Sequence, residues 1–406
     1  MKILVIGGGA AGFFAAINCA EAYPQHQVDL FEKSGKVLSK VRISGGGRCN
    51  VTHHCFQIST MAKNYPRGEK FLKKAFHRFF TKDTLDWFEK RRVKLKAEED
   101  GRMFPVTDTS QTIVDCLGGA ARKAGVQVVL GMAVSKLIPL DNGKFQVEVA
   151  KKEERLIYDK VIVATGGSPK LEGLQWLKTL GHQIESPVPS LFTFNIPDKK
   201  LTQLLGIAVP EATVSISTTR LSETGPLLIT HWGLSGPAVL KLSAWGAREL
   251  YEQQYQFAAR VSWLSGVHEE SLRAECQTIK EEYRARKVSN HNPFHLPKRL
   301  WAYLLEKSAI PQEKKWGELS KKELNRLINH LINDTYPVKG KTTFKEEFVT
   351  CGGVSLKDID VKTMESKACP GLYFAGEVLN IDGITGGFNF QAAWTTGYIA
   401  GLNAGK

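Results

Sequence analysis

The stretch from Met1 to Lys33 constrains this chain more than any other. A buried-strand pattern, Lys2-Ile3-Leu4-Val5-Ile6, runs directly into Gly7-Gly8-Gly9-Ala10-Ala11-Gly12. An Ala-rich helix is expected over Phe13 to Ala22, then a second strand over Gln27 to Phe31 that ends on Glu32. In such a G-x-G-x-x-G turn each glycine has a task. Gly7 makes the tight turn, Gly9 lets backbone approach a pyrophosphate, and Gly12 lets the helix pack close to the sheet. Ala10 and Ala11 belong to this turn, and the N-terminus of the helix that follows presents free N–H groups and a partial positive charge to phosphates. Glu32, with Lys33 beside it, stands twenty positions after Gly12. A carboxylate there accepts hydrogen bonds from a ribose hydroxyl and repels a 2′-phosphate. The stretch predicts a bound dinucleotide and leaves its identity open.

A chain of 406 residues has room for two or three domains. With 42% hydrophobic and 24% charged residues the composition is that of a soluble globular protein, and no apolar run reaches the length of a membrane span. Met1 opens into the first strand, so no leader is expected and the protein is expected in the cytoplasm. The seven cysteines show no C-x-x-C spacing and no grouping with histidines. That argues against a zinc site or a redox-active dithiol, and no metal is expected. The net charge of +14 favours polyanionic partners such as nucleic acid.

A second glycine-rich segment, Ser44-Gly45-Gly46-Gly47-Arg48-Cys49-Asn50, follows Lys40 and Arg42. Three consecutive glycines remove side chains so that backbone and ligand approach closely, and Lys40, Arg42 and Arg48 would supply charge for a phosphate or a reduced cofactor. Phe71 to Arg91 reads as an aromatic-packed helix pair with a basic outer face. A helix is expected over Ser110 to Ala124 and strands over 126–130, 131–137, 145–149 and 156–164. Val134 lies on one of these, where its backbone would flank an adenine. The last strand closes on Thr165-Gly166-Gly167, which leaves space for a cofactor above the sheet.

From about Ser190 the texture changes to alternating antiparallel strands, expected over 191–196, 208–217, 227–230 and 256–264. Pro237 falls near the first position of a helix. Charged amphipathic helices are expected over 269–287, 297–308 and 320–333. The expected organisation is a dinucleotide-binding domain over 1–189 and 337–406. It is interrupted by a β-barrel over 190–266 and a helical subdomain over 267–336. Gly340-Lys341-Thr342-Thr343 lacks the upstream glycine of a P-loop and is not read as one. Buried strand texture returns at 348–354 and 372–377, followed by Thr385-Gly386-Gly387-Phe388-Asn389-Phe390-Gln391. This last arrangement suits a flavin. Glu377, after Gly376 at a strand end, would bond ribityl hydroxyls. Gly386-Gly387 would let a helix N-terminus approach the ring where negative charge accumulates on reduction.

These segments, together with Thr230-His231-Trp232-Gly233-Leu234-Ser235-Gly236-Pro237, resemble the BaiN/RdsA flavoprotein family, also described as aminoacetone-oxidase-like FAD-binding proteins. The resemblance covers nearly the whole chain, and Ser-Gly-Gly-Gly-Arg-Cys-Asn is its most specific mark. It implies an α/β fold, a glutathione-reductase-type FAD-binding Rossmann domain with an inserted β-barrel and α-helical subdomain. It also implies FAD, held by Gly7, Gly9, Gly12, Glu32, the residues Ser44 to Asn50, Thr165, Gly166, and the run from Gly376 to Gln391. That run includes Glu377, Asp382, Gly386, Gly387 and Asn389. The family's activities imply reduction of an unsaturated substrate, such as a ribosomal RNA uridine or a steroid-like enone. Two positions depart from the family pattern: Asn380 stands where Asp is usual, and Cys351 where a small Ala is usual.

The expectation is an FAD-dependent oxidoreductase that moves a hydride from NAD(P)H through flavin to a C=C bond. No second G-x-G-x-x-G follows a later strand, so the nicotinamide donor would visit transiently. Cys49 is the first candidate for a catalytic group and His231 the second. The preferred substrate is a uridine of 23S ribosomal RNA, reduced to dihydrouridine. The rivals are a small-molecule oxidase or enone reductase, and an FAD-bearing RNA-binding protein without turnover.

Overall fold

The computed structural model describes residues 1–150, 155–343 and 349–406. The chain forms two compact units, Met1–Ser190 with Lys345–Lys406, and Leu191–Phe344.

The first unit is built on a five-stranded parallel sheet in the order Leu372–Phe374, Lys160–Val163, Lys2–Ile6, Gln27–Glu32, Gln127–Leu130. Ile3 to Ile6 are buried, as a strand covered on both faces requires. The expected strand–turn–helix–strand is present, but the helix runs Ala10–Ala22 rather than from Phe13. Gly9 is extended and serves as its N-cap, so Ala10 and Ala11 lie inside the helix instead of in the turn. Against it packs the C-terminal helix Phe388–Ala404, apolar on nearly every face because it is buried. Glycines set the close approach: a Cβ on Gly397 would lie 2.7 Å from the Ala11 carbonyl oxygen.

The strand expected over 156–164 is two strands in two sheets. Arg155–Tyr158 joins an antiparallel sheet with Phe145–Val149 and Val134–Pro139, whereas Lys160–Val163 belongs to the parallel sheet. Asp159 makes the break, its carboxylate accepting the Lys2 N–H at 2.6 Å and pairing with Lys144 at 3.0 Å. Gly131 and Met132 do not start the strand expected there; their N–H groups bond the carbonyls of Ser34 and Glu32.

In the second unit seven antiparallel strands run in the order Asp334–Lys339, Gln256–Ser262, Ala208–Ile216, Ser222–Thr230, Gly233–Ser235, Thr193–Asn195, Lys341–Thr342. The two edge strands are consecutive in the chain and joined by Gly340 alone, so the sheet curls back on itself. Gly340 bonds both sides of the seam, donating to the Tyr255 carbonyl at 2.8 Å and accepting from the Asn195 N–H at 3.1 Å. The helices Glu269–Glu282, Lys298–Lys307 and Lys321–Ile332 share one core with this sheet, in which Trp263, Trp301 and Trp316 are buried. Pro237 is the first residue of the helix Pro237–Trp245.

Candidate functional site

The glycine turn after the first strand combines two crowded positions with an open one. A Cβ on Gly7 would collide with the Ala164 carbonyl oxygen, and one on Gly12 with the Gly7 carbonyl oxygen. On Gly9 a Cβ would meet nothing within 4 Å. Gly7 and Gly12 are therefore glycines for the fold, while Gly9 leaves the approach to the helix N-terminus clear. No side chain caps that N-terminus and no acid lies in its first turn, so its orphan N–H groups and dipole favour an anion. Glu32 closes the turn, with Oε2 accepting the Gly8 N–H and Oε1 the Ser34 N–H, each at 2.8 Å. Each carboxylate oxygen keeps a lone pair for a ligand hydroxyl. Lys33 is exposed and Val134 half-buried. A cleft of 840 Å³ lies beside this strand end, lined by Gly35, Val37, Lys40, Arg42 and Leu130 among others.

The second glycine run folds as the kinked end of Ser39–Gly47, with Gly45, Gly46 and Gly47 all left-handed at φ of 59°, 67° and 84°. Beyond Gly46 and Gly47 there is open space, whereas Gly45 packs on the Phe104 ring. Arg48 is committed within the protein. It pairs with Glu98 at 2.6 Å and Asp108 at 3.6 Å, lies 4.0 Å over the Phe104 ring, and Glu98 pushes its pKa up further. Asn50 accepts the Met103 N–H at 3.3 Å. Cys49 is left-handed at φ 62° and fully buried, and burial pushes its thiol up to about 12 against a hydrogen bond with Ser44. A thiol in that state stays protonated at neutral pH and is a poor nucleophile.

Above the sheet, Lys40 meets Glu377 at 2.8 Å, and the other Glu377 oxygen accepts the Thr350 N–H at 2.8 Å. Gly167 is jammed against Thr350 and Glu377, while Gly166 beside Thr165 faces open space. Among the described residues the buried Thr350 Oγ1 finds no hydrogen-bond partner, and neither does the Asn380 Oδ1. Gly376 takes a positive φ of 75° and packs on Ala11. Gly386 and Gly387 introduce the C-terminal helix, and Gly387 is its left-handed N-cap with no side-chain cap. Asn389 secures the turn by bonding Gly383 twice, at 2.8 and 2.9 Å. Gln391 is fully buried and engaged by Thr52, Thr84 and Thr395. Asp382 is also buried; Arg67 Nε reaches it at 2.6 Å and Ser190 Oγ at 2.8 Å, and burial pushes its carboxyl up in spite of Arg67.

The first unit thus brings the glycine turn, the Ser44–Asn50 segment, Lys40, Glu377 and the Gly386–Gly387 turn together on one parallel sheet. His231 lies in the second unit, exposed, its ring 4.6 Å from that of Trp232. Four residues that sequence reasoning passed over also shape the site. Tyr65 donates to the Phe388 carbonyl at 2.7 Å, Arg67 pairs with Asp382, and Thr350 holds Glu377. His53 places Nδ1 3.0 Å from the Gly386 carbonyl and stacks on Phe388. The carbonyl accepts only, so Nδ1 carries the proton. Tyr65-Pro66-Arg67-Gly68 was the visible signal for two of these, a punctuated turn carrying a cation.

The open cradles at Gly9, Gly46 and Gly166, the uncapped helix ends and the orphaned Thr350 hydroxyl fit an extended dinucleotide. Sequence comparison decides the class, since the family described as HI0933-like protein Rossmann domain matches residues 1–403. The chain belongs to that family. Membership bears out the resemblance drawn from the motifs, and with it the class of FAD-dependent oxidoreductase. Among its relatives is the 3-dehydro-bile acid delta(4,6)-reductase of Clostridium scindens, 27% identical over 100% of this chain and 99% of that one. The ribosomal RNA dihydrouridine synthase of Haemophilus influenzae is 31% identical over 99% and 98%. A solved 3-ketosteroid-delta4-(5alpha)-dehydrogenase from Rhodococcus jostii RHA1 shares the fold at a TM-score of 0.53 and 14% identity, covering 100% of this chain and 97% of that one. No helix among the described residues is long and apolar enough to cross a membrane.

Proposed function

We propose that this protein is a cytoplasmic reductase that uses FAD to pass a hydride, drawn from transiently bound NAD(P)H, to a C=C bond. The proposed substrate is a uridine of 23S ribosomal RNA, which becomes dihydrouridine. The cradle at Gly9, open beside two crowded glycines, is the observation that carries the cofactor assignment. When bound, FAD supplies the hydride at its N5.

The chain's own residues do the rest. Gly9, Ala10 and Ala11 present N–H groups to the pyrophosphate, and Glu32 takes the ribose hydroxyls. Lys40, Glu377 and Thr350 form a polar cluster for the ribityl chain. The uncapped start of Phe388–Ala404 stabilises negative charge near the ring. Cys49 is the first candidate for the proton donor and His231 the second.

The RNA substrate draws support from the relative so named and from the net charge of +14. The relative named as a bile acid reductase favours a second reading, a small-molecule enone reductase. Salt separates the two, because RNA binding weakens steeply as counterions compete and binding of an uncharged enone does not. The direct test is the dihydrouridine content of large-subunit RNA from cells lacking this protein. A loss of dihydrouridine is expected. Full retention would remove the RNA substrate and leave the reductase class standing.

A further inference from the structure

The positive charge of the first unit is not spread over it. Residues 63–96 contain twelve Lys and Arg against four Asp and Glu, an excess of eight, while the remainder of that unit balances at twenty-two against twenty-two. Within this segment the helix Glu69–Ala75 and the turn after it bury Leu72, Ala75, Phe76 and Phe79. The opposite face carries Lys70, Lys73, Lys74 and Arg78, all exposed. Lys70, Lys73 and Lys74 stand at i, i+3 and i+4 of the helix and so share one side, and Arg78 follows in the turn after it. Among the described residues none of the four pairs with a carboxylate. Arg91, Lys96 and Arg67, in the same segment, do so with Glu21, Asp108 and Asp382. Like charges three and four residues apart weaken a helix, and an anionic partner relieves that repulsion.

The segment is stapled to the candidate flavin end of the site. The Asn64 carbonyl accepts the Ile384 N–H at 3.0 Å, and a Cβ on Gly68 would lie 2.8 Å from the Ile381 side chain. Tyr65 and Arg67 bond Phe388 and Asp382. The basic helix therefore springs from the residues that fix the Gly386–Gly387 turn. The second unit offers a less segregated alternative. Its pocket of 580 Å³ is lined by Lys321, Lys322 and Arg326, but Glu323 stands among them and pairs with Lys314 at 3.3 Å.

We infer that the Lys70–Arg78 face is the surface on which folded RNA docks through its phosphate backbone. The inference rests on the proposed RNA substrate and names the part of the protein that would recognise it. Shape and charge are read here, so the docking is indifferent to base sequence.

The test measures binding of an in vitro transcript of large-subunit ribosomal RNA to the full-length flavoprotein across a salt series. The variants are Lys70→Glu/Lys73→Glu/Lys74→Glu/Arg78→Glu, the milder fourfold Gln variant, and Lys321→Glu/Lys322→Glu. Flavin absorbance and the melting temperature report folding. The Glu variant is expected to bind at least about 100-fold more weakly, and the Gln variant to flatten the log–log salt slope by about 3, at roughly 0.7–0.9 for each phosphate no longer neutralised. The second-unit variant is expected to bind nearly as the wild type does. If the wild type binds RNA in a salt-dependent way and the Gln variant retains its affinity and slope, this surface is overturned and the RNA substrate stands. If the wild type shows no salt-dependent RNA binding, both fall.

Discussion

Tyr65 donates its hydroxyl to the Phe388 carbonyl at 2.7 Å across 323 residues of chain. Next to it Arg67 grips Asp382, so one short turn ties down the entrance to the C-terminal helix. The two ties differ in strength. Tyr65→Phe removes one hydrogen bond and is expected to cost about 1 kcal/mol. Arg67→Ala removes the counter-charge of the buried Asp382 carboxylate and leaves it the Ser190 hydroxyl alone among these partners, and is expected to cost about 3–5 kcal/mol. Denaturant melts of the two variants check the order; equal losses would contradict it.

The glycine turn gives a sharper contrast. Gly9 has ordinary φ and open space around it, so Gly9→Leu is expected to fold with a melting temperature near that of the wild-type apoprotein while failing to retain flavin. Gly12→Ala drives its new methyl into the Gly7 carbonyl. It is expected to be recovered poorly or as a markedly destabilised protein. Flavin content per folded protein, set beside the apoprotein melt, distinguishes the outcomes.

Cys49 and Cys55 should react differently with an alkylating agent. Burial holds the Cys49 thiol at about 12, whereas Cys55 is half-exposed. In the native protein at neutral pH iodoacetamide is expected to label Cys55 and spare Cys49 until the chain unfolds. Peptide mapping before and after denaturation reads this out. Rapid native labelling of Cys49 would contradict its assignment as a protonated donor.

His182 predicts a pH dependence. It is buried, its Nδ1 donates to the Leu177 carbonyl at 3.1 Å, and its Nε2 accepts from Ser366 at 2.7 Å, so the neutral ring satisfies both partners. Burial is the chief cause that lowers its pKa below 6.5. The unfolded chain then binds the extra proton first, so stability rises with pH and is lost as pH falls below about 6.5 towards the folded value. Melts between pH 7.5 and 5 are expected to show that loss in the wild type and a shallower one in His182→Gln.

Much of this was legible in the sequence, for identifiable reasons. The glycine turn, Glu32 and the parallel-strand texture are local patterns with one good structural solution, and the structure adopts it. The break at Asp159 was not legible, because it depends on the Lys2 backbone and Lys144, partners far away in sequence. The same limit applied to Arg48. As a loop cation it read as a ligand for phosphate, and only the fold reveals Glu98, Asp108 and Phe104 around it. Gln391 falls in the most recognisable motif of the C-terminal region, yet its side chain is absorbed by three threonines. Thr350 carries no motif and became visible only as the backbone clamp on Glu377.

One reaction is central to this protein's proposed function, and purified protein tests it directly. Under anaerobic conditions the yellow holoprotein is mixed with NADPH or NADH, its flavin absorbance is followed, and large-subunit RNA transcript is then added. The expected result is bleaching by the nicotinamide, followed by recovery of the yellow colour on addition of RNA, with dihydrouridine appearing in proportion. A flavin that neither nicotinamide reduces, or a bleached flavin that RNA leaves bleached, would contradict the account.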